Sequence, residues 1–130
     1  MNFDRSLDWN SEELAKGLAC YRRGLFFDAH EHWEIVWLKL EEPAKSFLQA
    51  LIQLTAAFHH LEKGNRAGTL SLLRRSLCRL KQSPPQFGGV TIAPLCIEIC
   101  EWLAAIESGT DLPATPPQIR PANSLPVTNA

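Results

Sequence analysis

A chain of 130 residues is one domain's worth of polypeptide. At 45% hydrophobic and 21% charged, with a formal net charge of −1, it is composed like an ordinary globular protein. That composition excludes a disordered polyelectrolyte, and no bulk field draws the chain to nucleic acid or to an anionic membrane.

Residues 1–10 read as an arm that Phe3, Leu7 and Trp9 could pin to a core. The start, M-N-F-D-R-S-L-D-W-N, lacks the basic-then-apolar pattern of a signal peptide. The first helix is predicted over 11–23, with Ser11 as its N-cap and Glu12 and Glu13 in the first turn. Leu14, Leu18 and Tyr21 share its apolar face, and Gly24 ends it in a left-handed conformation. The second helix starts at 26–28 and runs to about residue 40, where Glu42-Pro43 breaks the pattern. Asp28 and Glu31 either form a capping box or Asp28 simply lies in the first turn.

The third helix, 44–64, is the hub. Phe47, Leu48, Leu51, Ile52, Leu54, Phe58 and Leu61 cover most of its circumference, the pattern of a helix enclosed on several sides. Its uncharged run, 46–61, is too short and too polar to span a bilayer. Gly64 stops it, and Asn65 is the expected N-cap of a fourth helix over 66–81, with Leu70, Leu73, Leu77 and Leu80 as its stripe. Residues 83–90, S-P-P-Q-F-G-G-V, read as a loop. Thr91 is the expected cap of a fifth helix over 92–108, which Gly109 ends. Residues 110–130 are proline-rich and read as an extended or disordered tail, with Ile119 the residue that could dock. No stretch alternates with period two, so the fold class is all-α. Residues 11–109 form one domain: a compact five-helix bundle of two helical hairpins plus a closing helix.

The two hairpins repeat weakly at an offset of forty residues. Y-R-R-G-L-F-F-D-A precedes the second helix as L-E-K-G-N-R-A-G-T precedes the fourth. The first of these looks like a tetratricopeptide turn. Three segments carry a wider resemblance: F-F-D-A-H-E-H-W-E at 26–34, F-L-Q-A-L-I-Q at 47–53 and H-H-L-E-K-G-N-R-A-G at 59–68. In this order and spacing they resemble the domain of unknown function 309 family of small helical proteins, over roughly residues 14–106. The resemblance implies a compact all-helical fold and brings no activity, substrate or cofactor with it. Thr69 departs from the small apolar residue expected after Gly68, which puts tight packing at the second turn in question.

The densest polar cluster is Asp28, His30, Glu31, His32 and Glu34 on the second helix. His30 and Glu34 are i, i+4 neighbours, the start of a general base or of a metal site. The pattern is not H-E-x-x-H, because Ile35 stands where the second histidine would be. Candidate catalytic residues, or ligands if a metal is present, are His30, Glu34 and His60, which antiparallel packing of helices two and three could bring together. The preferred reading is a core histidine bonded to Glu34, with Glu31 capping the helix. Glu31, Trp33, Trp37, Gln49 and Gln53 are candidate ligand-binding residues. Gln49 and Gln53 lie on an otherwise apolar helix, where cross-linking of helices is the preferred reading and a pocket with His30, Glu34 and His60 the sharper one. Trp33, Trp37 and Trp102 are core or an aromatic cage.

From 63 to 97 the chain carries six basic residues and no acid, while the first 62 hold ten of the fourteen acids. Lacking interleaved aromatics, the basic stretch reads as a solvated face and argues against nucleic acid. Cys20, Cys78, Cys96 and Cys100 contain no C-x-x-C pair and read as free thiols of a cytoplasmic protein. No cofactor motif is present, and neither is a phosphate loop or nucleophile elbow. The reading is a non-catalytic binding or scaffold module whose partner is a protein or small molecule, with a homodimer left open and no membrane. The alternative is a small, metal-assisted enzyme. Convergence of His30, Glu34 and His60 in a concave pocket favours the enzyme; their separation, with an exposed groove elsewhere, favours the module.

Overall fold

The computed structural model describes residues 7–122. It contains α1 (Glu12–Arg22), α2 (Phe26–Trp37), α3 (Ala44–Glu62), α4 (Arg66–Lys81), β1 (Gln86–Phe87), β2 (Val90–Thr91) and α5 (Ile92–Ser108). The protein is therefore all-α, with one two-stranded hairpin among the described residues. α3 packs against both α2 and α4, α1 packs on α2, and α5 packs on α4. Phe47, Leu48, Leu51, Leu54 and Phe58 are buried, while Ile52 and Leu61 are half-buried. The hub is thus enclosed except along the strip carrying Gln49, Ile52, Gln53 and Ala56 and around its last turn, 59–62. Among the described residues, no helix is long and apolar enough to cross a membrane.

The forty-residue repeat is structural. Gly24 (φ 78°) and Gly64 (φ 76°) end α1 and α3 in the same left-handed conformation. Behind each, the next residue donates to the carbonyl five back: Leu25 to Cys20 (2.8 Å) and Asn65 to His60 (2.9 Å). The glycine itself donates three back, to Tyr21 or Leu61. These paired bonds satisfy the last carbonyls of each helix.

Capping differs from the sequence reading in several places. Ser11 does not cap α1 with its side chain; its hydroxyl donates to the Asp8 carbonyl. No capping box forms at α2, whose N-cap is Leu25. Thr91 accepts from the Gln86 amide instead of capping α5. Asn65 does cap α4, accepting from the Gly68 N–H at 3.0 Å. α2 stops at Trp37 rather than near 40, because the chain tightens there: Lys39 donates to Val36. Thr69 is fully buried without loss, since its hydroxyl donates to the Asn65 carbonyl. The 83–90 loop contains strand pairing: Gly88 and Gly89 both take positive φ and join β1 to β2.

Two flanking segments close the bundle. Leu7 and Trp9 are buried, and the Trp9 indole donates to the Gly88 carbonyl at 2.6 Å. Phe3 lies outside the described residues. Residues 110–122 carry neither helix nor strand. The Tyr21 hydroxyl donates to the Pro117 carbonyl (2.7 Å), Arg22 to Ile119 (3.0 Å) and the Trp102 indole to Thr115 (3.0 Å). Ile119 is 1% exposed.

Candidate cleft between the second and third helices

α2 and α3 run antiparallel, in a register that stacks Phe26 on Phe58 and sets Phe27 against His59. One turn further along α2, the same register sets His30 opposite Ala56 and Gln53. A cavity of about 260 Å³ opens there, lined by His30, Glu34 and Trp37 from α2 and by Gln49, Ile52 and Gln53 from α3. His30 Nδ1 stands 3.7 Å from a Glu31 carboxylate oxygen and 3.9 Å from one of Glu34. Both distances exceed a hydrogen bond. The two carboxylates are about half exposed.

His60 does not join this group. The register places it a turn beyond His30, where its Nδ1 lies 3.0 Å from the Asn65 side-chain amide. Of the proposed trio, the structure brings His30 and Glu34 together, with Glu31 beside them, and their ligand atoms all lie within 4.8 Å of one another. The reason is the direction of the side chain: His60 turns toward Asn65 at the start of α4 and does not line the cleft. His32 points the other way and meets a Glu13 carboxylate at 2.7 Å, tying α2 to α1.

The aromatic cage does not form either. Trp33 is fully buried against Trp9 and Tyr21, and its indole donates to the Leu14 carbonyl. Trp102 packs edge-on to Phe58. Trp33 is therefore a core residue and leaves the set of ligand-binding candidates. Trp37 stays at the cleft, half-buried, with the Lys45 ammonium 4.3 Å from its ring centroid.

Gln49 and Gln53 also border a larger polar groove of about 800 Å³ that continues past Ser46 to Arg75 and Arg79 on α4. The sequence reading took these arginines for a solvated face. They are i, i+4 neighbours, but only the packing of α4 on α3 shows that they line a groove. Arg74 is half exposed and pairs with Glu107 of α5. Elsewhere an apolar trough of about 710 Å³ runs over Ile92, Cys96, Ile97 and Cys100 of α5.

Residues 14–72 match the family described as Domain of unknown function (DUF309). The resemblance read from the sequence is shown over this span, which is shorter than the 14–106 expected. The DUF309 match contains every residue lining the smaller cavity and stops before Arg75 and Arg79. An uncharacterized protein of Aquifex aeolicus (strain VF5) is 26% identical over 111 residues, covering 85% of this chain and 32% of that protein. The chain spans about a third of the length of that relative.

Proposed function

We propose that the protein is a non-catalytic binding module that takes a small polar ligand into the cleft between α2 and α3. One observation carries the reading. Among the described residues, the buried side-chain atoms without a hydrogen-bond partner are His30 Nδ1, Trp37 Nε1 and Gln53 Oε1, and all three belong to residues lining this cavity. A buried polar atom left unpaired costs about 1–3 kcal/mol, so such atoms mark a place where a partner is expected. Together they offer a donor, an acceptor and a group that can be either, beside the Glu34 carboxylate. A ligand longer than the cavity would follow Gln49 toward Arg75 and Arg79, so an anionic far end suits the groove. The paired hairpins with matching glycine turns support a helical-repeat scaffold, and the four free cysteines support a cytoplasmic setting.

Side-chain NMR tests the reading directly. A panel of small carboxylates, amides and phosphates is titrated against ¹⁵N-labelled protein while the Trp37 indole and Gln53 amide signals are followed. A saturable shift of both is expected, with affinity about tenfold weaker in Gln53→Leu, the factor for one lost hydrogen bond of about 1.4 kcal/mol. Shifts confined to other surfaces, or affinity unchanged in Gln53→Leu, overturn it.

A further inference from the structure

We infer that His30, Glu31 and Glu34 form a binding site for one divalent first-row transition-metal ion, with Gln53 Oε1 as a fourth ligand. The inference deepens the reading of the cleft as a binding site, and rests on it. Residues i, i+1 and i+4 of α2 bring one imidazole nitrogen and two carboxylates to one place, with all three ligand atoms within 4.8 Å of one another. Neighbouring ligands around an ion with bonds of ~2.1 Å stand about 3 Å apart. His30 Nδ1 is 3.7 and 3.9 Å from the two carboxylates, so small side-chain rotations bring the set to bonding distance.

Two further observations point to a ligand. His30 Nδ1 is buried and makes no hydrogen bond, although two carboxylates flank it. A neutral imidazole with a free lone pair is the form that ligates a metal. Gln53 Oε1 is a second buried acceptor without a partner, on the facing helix and lining the cavity that His30 and Glu34 also line. Two carboxylates balance the charge of a divalent ion. The imidazole nitrogen favours iron, cobalt, nickel, copper or zinc over calcium and magnesium, and the carboxylates also accept manganese. Four protein ligands leave coordination positions for water or for a ligand's carboxylate or phosphate. His32 is not part of the set, because Glu13 already holds it.

The full chain is titrated with Mn²⁺ and, separately, with Zn²⁺. About one equivalent of Mn²⁺ is expected by electron paramagnetic resonance, with NMR broadening centred on residues 30–34 and 53. Glu34→Gln and Glu31→Gln should each weaken Zn²⁺ binding about tenfold or more, and Glu13→Gln should leave it unchanged. Glu31 and Glu34 are half exposed, so both variants keep the fold, which circular dichroism checks. Broadening spread over the acidic surface, or equal affinity in Glu34→Gln and wild type, overturns the site. If small ligands shift the Trp37 indole but Mn²⁺ broadens nothing near it, the metal falls and the ligand cleft stands. If Mn²⁺ broadening is local and no small ligand moves the indole, the metal site stands and the organic ligand falls.

Discussion

The two hairpins, α1–α2 and α3–α4, share a turn and a forty-residue spacing but fill their interiors differently. In the first, Gly17 of α1 faces Trp33 of α2, and a Cβ at Gly17 would fall inside the indole. Forty residues on, Ala57 and Leu73 stand in their place, both fully buried. Glycine with tryptophan and alanine with leucine are two ways of filling one gap. The first hairpin also closes its surface with the Glu13–His32 contact. The equivalent positions in the second hold Gln53 and Leu72, and both line the candidate cleft. One hairpin spends this position on holding itself together, and the other leaves an acceptor open.

The comparison breaks most sharply at Trp33. Trp33→Ala should cost about 3–5 kcal/mol in chemical denaturation, since the side chain is 0% exposed and its cavity has little to fill it. A midpoint near wild type would show that the first hairpin does not depend on the indole. Gly17→Ala should cost about 1–3 kcal/mol by overpacking, although alanine is the better helix former. Adding Trp33→Leu reproduces the pairing of the second hairpin, and the double variant should lose less than the sum of the two single variants. Simple additivity would mean that the pair is not the unit.

The smallest effect sharpens the comparison at its edge. Tyr21 corresponds to Leu61, but only Tyr21 carries a hydroxyl, and it holds the segment 110–122 through Pro117. Tyr21→Phe should cost about 1 kcal/mol at neutral pH. Burial, with a smaller contribution from Glu98, pushes the Tyr21 phenol well above its usual value. Above about pH 10 the unfolded chain releases this proton and the folded chain keeps it, so stability falls as pH rises. Burial raises the Cys96 thiol as well and adds the same sign. Denaturation midpoints from pH 8 to about 11 should therefore fall more steeply in wild type than in Tyr21→Phe. Parallel curves would exclude the buried phenol as the source.

Helix number, the glycine stops and the hub helix were legible from local pattern, because a 3.6-residue apolar period and a left-handed glycine act within one turn or two. His30, Glu34, Gln49 and Gln53 were legible as polar residues on otherwise committed faces. Trp33 and Trp37 looked alike in sequence, yet one is core and the other borders the cleft, since their difference lies in which neighbour each meets.

The sequence by itself determined five helices, the glycine stops at Gly24, Gly64 and Gly109 and most of the buried stripe of each helix, since those follow from backbone and side-chain preferences along the chain. Tertiary structure alone decided that His30 faces Gln53 rather than His60, that Arg75 and Arg79 border a groove, and that Gly17 makes room for Trp33. Each of these depends on the register between packed helices, where a shift of one turn exchanges one partner for another.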